Sequence, residues 1–185
     1  MKAGKSKAFK GPLGSHKNFI NHIALENYHE YKNLCGLNEE SRKNRTLDKY
    51  KECRYFLNVI ESMNNILDYL YFEHEDKIQQ SSLRSYKSAV WAKYPELREL
   101  ANLANAYKHC IREGRGGKNM NRPWAKDLQK PQLNVDVKIS SSLGVNTLVN
   151  YDFPWPINKH ERVLEKAVKF WMAYIQYDGC DLKNV

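Results

Sequence analysis

At 185 residues and 21.7 kDa, the chain is long enough for one domain with a real core and short for two. Its 42% apolar and 28% charged content is a globular balance, which excludes a disordered chain and a membrane protein. No apolar run approaches the roughly 18 residues of a spanning helix, and no signal-type apolar stretch follows the Lys-rich start, so a soluble cytoplasmic protein is expected.

The net charge of +9 is unevenly placed. Residues 1–17 hold Lys2, Lys5, Lys7, Lys10 and Lys17 and no acid, and are expected to be a disordered basic tail. Residues 112–130 hold six basic and two acidic side chains, leaving nineteen of each sign elsewhere. The pI near 9.3 therefore comes from one tail and one loop, with residues 18–185 as a single, otherwise neutral domain. Such a localised excess is a footprint for a phosphate backbone.

The predicted elements begin with a helix from Phe19 to Leu34, ending at Cys35-Gly36. A polar link, 36–45, leads to a long helix from Thr46 to about Lys77. Phe56, Val59, Ile60, Met63, Ile66, Leu67, Leu70 and Tyr71 recur there at three- and four-residue steps. Ser81 or Ser82 caps a shorter helix through Tyr94, and Pro95 suits the first position of another helix running to Arg112. Beyond the Gly-rich loop, alternation of apolar residues at 133–139 and again at 145–151 predicts a β-hairpin at about 132–151. Asp152-Phe-Pro-Trp-Pro156 is a stiff connector, and Asn158 with Glu161 starts a final helix whose core face is Val163, Leu164, Ala167, Phe170, Trp171 and Tyr174. The expected fold is mainly α: a bundle of about five helices with one inserted β-hairpin.

Two features bear on function. The helix from Pro95 is apolar around most of its circumference, except for a polar seam of Arg98, Asn102, Asn105, His109 and Arg112, with Lys108 beside it. The five seam residues project within about 80° of one another on a helix of 3.6 residues per turn. The seam is either a cleft lined by a His and two Arg side chains, or a hydrogen-bond network or plain surface strip, and the structural readings take precedence. Arg54, Asn58, Glu61, Asn65 and Asp68 repeat the spacing on the long helix. Facing seams would pair Glu61 and Asp68 with Arg98 and Arg112; an ordinary wet face is the competing reading.

The second feature is the loop that follows. Arg112, Arg115, Lys118, Arg122 and Lys126 supply donors, Gly114, Gly116 and Gly117 permit close backbone approach, and Trp124 offers a stacking face for an unpaired base. The loop closes a helix and lacks a Gly-Lys-Ser/Thr ending, so a nucleotide P-loop is excluded, and a mobile surface connector with a C-capping glycine is the competing reading, slightly ahead of the binding one. Cys35, Cys53, Cys110 and Cys180 form no Cys-x-x-Cys pair, and no His falls at ligand spacing around them, so neither metal nor other cofactor is expected. His29-Glu30 and His74-Glu75 read as simple neighbours.

The string Leu100-Ala-Asn-Leu-Ala-Asn-Ala-Tyr-Lys-His109, the segment Ser62-Met-Asn-Asn-Ile-Leu-Asp68 and the downstream helix with Phe170-Trp171 together resemble bacterial proteins of the HEPN-like helical class. The resemblance covers about residues 46–112 and 158–177. It implies a helical bundle, often a homodimer, with roles in RNA cleavage or in defence and toxin–antitoxin systems. Catalytic members carry an Arg followed four to six residues later by His; here Arg98 precedes His109 by eleven, so the chain resembles members without the ribonuclease signature. The expectation is a non-enzymatic protein that binds RNA or single strands through Arg112, Arg115, Lys118, Arg122, Trp124 and Lys126. Its rivals are a ribonuclease centred on His109 with Arg98 and Arg112, and a protein–protein module using the hairpin edge or the Pro-Trp-Pro connector.

Overall fold

A computed structural model describes residues 13–42, 49–113, 132–140, 144–152, 158–177 and 182–185, with side-chain surroundings defined for 13–36, 51–108, 159–177 and 182–185. Helix α1 (His16–Phe19), a π-helical turn (Ile20–Ala24) and α2 (Leu25–Arg42) follow one another without leaving the right-handed helical region at their junctions. Then come α3 (Lys49–Glu73), α4 (Leu83–Lys93), α5 (Pro95–Glu113) and α6 (Asn158–Tyr177).

The first helix opens inside the segment expected to be a tail. Ser15 takes an extended conformation and its side chain accepts a 3.0 Å bond from the Asn18 amide, one of the donors a helix start leaves without an internal partner. Residues 1–12 of that tail lie outside the described residues. The helix expected to stop at Cys35-Gly36 runs on to Arg42. Glycine lowers helix propensity by about 1 kcal/mol without forbidding a helix, and the space around Gly36 is open. At α4 the sequence signals hold: Ser82 and Ser85 form a reciprocal capping box, and Pro95 is the first residue of α5.

Helix α3 is the hub. It packs against α2, α5, α4, α6 and the first turns of the chain, while α5 also packs on α4 and α6. Its apolar stripe, Phe56, Val59, Ile60, Met63, Ile66, Leu67, Leu70 and Tyr71, is buried throughout, and meets Leu97, Leu100 and Leu103 of α5 and Val163, Leu164, Ala167 and Trp171 of α6 in one core. Phe19 stacks on Tyr69 with ring centroids 3.9 Å apart, which fastens the first turn to α3.

The expected inserted β-hairpin is a correction. Among the residues whose side-chain surroundings are described, every regular element is helical and no β-strand takes part in the packed body. The backbone segments Gln132–Ser140 and Gly144–Asp152 contact chiefly each other. Alternation reports a local period of two, not a face against which the segment is buried, and a lone strand pair without such a face is marginal. Among the residues whose side-chain surroundings are described, the fold is a helical bundle.

Candidate functional site

The seam expected on α5 is a solvent strip where it is described. Arg98, Asn102 and Lys108 are exposed and Asn105 is half-buried. Lys108 Nζ lies 2.7 Å from Glu61 Oε2, so α3 and α5 do meet along their polar sides, but through a 47%-exposed lysine and not through Arg98. Asp68 is taken by Lys87 of α4, at 2.7 Å. The side chains of His109 and Arg112 lie outside the described surroundings. Arg115, Lys118, Arg122, Trp124 and Lys126 lie outside the described residues, as does the Pro-Trp-Pro connector.

The densest polar arrangement inside the described body lies elsewhere, at the end where α1, the C-terminus of α3 and α6 converge. His16, the first residue of α1, is 3% exposed. Its backbone N–H, an orphan donor of the helix start, donates to Glu73 Oε2 at 2.5 Å. The carboxylate of one helix thereby caps the positive end of another, a favourable placement for negative charge. His16 Nδ1 lies 2.8 Å from the same Oε2, and Nε2 lies 2.9 Å from the Tyr174 hydroxyl of α6. Because Glu73 Oε2 only accepts, Nδ1 carries the hydrogen, and a neutral His16 then accepts at Nε2 from Tyr174.

His74 sits one residue past α3. Its amide bonds back to the carbonyls of Leu70 and Tyr71, and its own carbonyl accepts from the amides of Lys77 and Ile78, forming a tight turn. The ring stands edge-on to His16 with centroids 5.3 Å apart. His74 Nε2 is buried, has no hydrogen-bond partner among the described residues, and lies 3.7 Å from Glu73 Oε1. Residues 182–185 pack on the body: Leu182 is buried, and the Gln80 side-chain amide donates to the Val185 carbonyl.

Burial sets the protonation here. It pushes His16 below its ordinary value despite Glu73, with Lys183 and Lys17 acting in the same direction. His74 is lowered by burial and then by the Lys183 charge. For Glu73, burial acts upward, but the backbone and side-chain bonds from His16 outweigh it and hold the carboxyl below its usual range. The result is an ionised carboxylate between two neutral imidazoles.

Sequence reasoning missed this cluster. His16 and Glu73 are 57 positions apart, and His74 was legible only as a neighbour of Glu75. The one local signal is that a carboxylate and a histidine adjoin at the end of a strongly periodic helix.

A second polar layer ties α2 to α6. Tyr31 donates to Glu161 at 2.8 Å, Tyr28 donates to Glu165 at 2.9 Å, and Lys32 reaches Glu165 at 3.0 Å. Tyr107 shares a 2.9 Å bond with Nδ1 of the fully buried His160. Burial pushes the Cys35 thiol up to about 11, which leaves it protonated and unreactive at neutral pH. This layer reads as structural. No family of known proteins, no curated protein and no solved structure matches the chain.

Proposed function

We propose that the protein binds nucleic acid, RNA or single strands, through the basic stretch 112–126 together with the Lys-rich segment 1–17. The observation that supports this reading is how charge is handled in the helical body. Lys32, Lys87, Lys108 and Lys166 each lie against a carboxylate, on Glu165, Asp68, Glu61 and Glu99 respectively. These lysines of the body lie on its own acids, and by sequence the whole excess of +9 falls within residues 1–17 and 112–126. Arg115, Lys118 and Arg122 then serve as phosphate contacts and Trp124 as a stacking face. In this reading the chain is a non-catalytic relative of the HEPN-like class, and His109 with Arg98 and Arg112 does no chemistry.

The test is fluorescence anisotropy of labelled single-stranded RNA and DNA over a salt series, for wild type and an Arg115→Ala/Lys118→Ala/Arg122→Ala variant. Each lost phosphate contact flattens the log–log salt slope by about 0.7 for single strands, so the triple variant should lose about two. Absence of binding by wild type at low salt overturns the proposal. Cleaved oligonucleotide on a gel, abolished by His109→Ala, replaces it with the ribonuclease reading.

A further inference from the structure

We propose that His16, Glu73 and His74 form a site for one divalent transition-metal ion of the zinc type, with His16 Nδ1, a Glu73 carboxylate oxygen and His74 Nε2 as ligands. One ligand atom from each residue lies within 4.8 Å of the others. With zinc–nitrogen and zinc–oxygen distances of about 2.0–2.1 Å, tetrahedral ligand atoms stand about 3.3 Å apart, so the longest separation must close by about 1.5 Å. Small side-chain rotations of Glu73 and His74, which are 24% and 14% exposed, cover that distance without moving a helix.

The donor set selects the ion. Two imidazoles and one carboxylate suit zinc and its borderline neighbours, whereas calcium and magnesium require oxygen ligands. The carboxylate can serve two purposes at once: Oε2 stays on the His16 backbone N–H while Oε1, already on the His74 side, turns to the ion. His74 Nε2 gives up no hydrogen bond to become a ligand. At His16 the imidazole proton moves from Nδ1 to Nε2, where the Tyr174 oxygen accepts it; a hydrogen-bonded partner on the far nitrogen is what orients metal-bound histidines. Three protein ligands leave a fourth position for water, the pattern of open zinc sites. Lys17 and Lys183 oppose the cation, and both have long stems that let the ammonium groups withdraw to solvent.

The experiment titrates Zn²⁺ into the chelator-stripped full chain by calorimetry, with thermal denaturation alongside and Co²⁺ absorption as a probe of the donor set. The expected result is one ion per chain, a rise in Tm with Zn²⁺, and a Co²⁺ spectrum lacking thiolate charge-transfer bands. His74→Ala removes a ring that holds no hydrogen bond, so it should fold as wild type while weakening Zn²⁺ at least tenfold and losing the Tm rise. Tyr174→Phe keeps the ligands and removes the outer partner, and should weaken the ion about tenfold. No Zn²⁺ binding by wild type at micromolar concentrations overturns the proposal. So does binding unchanged in His74→Ala, or a thiolate spectrum abolished by Cys→Ser changes.

Discussion

Replacing Glu73 by Ala tests the reading of the buried end of the bundle most directly. The carboxylate oxygen accepts two bonds from one residue, the backbone N–H of His16 at 2.5 Å and its Nδ1 at 2.8 Å, and the imidazole is almost fully buried. Hydrogen bonds to a charged group contribute about 1.5–3 kcal/mol each, and stranding a buried donor costs about 1–3 kcal/mol. Glu73 is 24% exposed, so water replaces part of what is lost, and a total of about 2–4 kcal/mol follows. For a chain of this size that is a Tm lower by about 5–15 °C. Glu73→Gln keeps an acceptor without the charge and should cost about half as much.

Urea unfolding followed by far-UV circular dichroism and by fluorescence of the buried Trp171 gives both values. The pH dependence supplies a second readout. Glu73 is held below its ordinary 4.5, so its contribution is full above that pH and is lost as pH falls through the folded value. His16 and His74 are lowered from 6.5, so the folded state disfavours their protonation and stability declines as pH drops below 6.5 through their folded values. Wild type should therefore lose stability in two acid steps, the lower of which is absent in Glu73→Gln. A cost below about 0.5 kcal/mol for Glu73→Ala, the range of ordinary surface substitutions, refutes the argument.

Other expectations follow from the packing. Leu100→Ala, at a site 1% exposed in the centre of α5, should cost about 2–5 kcal/mol in the same urea experiment. Tyr86→Phe should be neutral or stabilising by up to about 1 kcal/mol, because the hydroxyl is buried with no hydrogen-bond partner among the described residues. Lys108→Ala should change stability by less than about 1 kcal/mol, since its pair with Glu61 is largely solvated; a double-mutant cycle with Glu61→Ala measures the coupling.

The fold was legible wherever a local rule decides the outcome. The α3 stripe from Phe56 to Tyr71 buried the residues its spacing marked, because a 25-residue helix with one apolar face has only one way to hide it. Ser82 and Pro95 marked helix starts because each meets a stereochemical need of the first turn. Gly36 misled because a weak helix former was read as a stop, although propensity is outweighed when the flanking turns are anchored, here by Tyr31 on Glu161 and Cys35 near Glu52. The alternation after residue 132 misled for a related reason: periodicity describes a segment, while membership of a fold needs a partner surface. The His16 cluster was not legible beyond the adjoining Glu73 and His74, since nothing local joins His16 to the last residue of α3.

The contrast between the α5 seam and the His16 cluster shows why polar spacing alone is a weak guide to chemistry. Arg98, Asn102, Asn105 and Lys108 follow a helical spacing in sequence, yet they stay at or near solvent, and of them Lys108 meets α3 through a half-exposed pair with Glu61. His16 follows no pattern, but burial forces every polar atom on its ring to find a partner, and the partners come from two other helices. Desolvation then does what spacing cannot. It keeps both imidazoles neutral beside an ionised carboxylate. Within the described body, buried polar groups with shifted protonation therefore gather at the end of the core where α1, α3 and α6 meet.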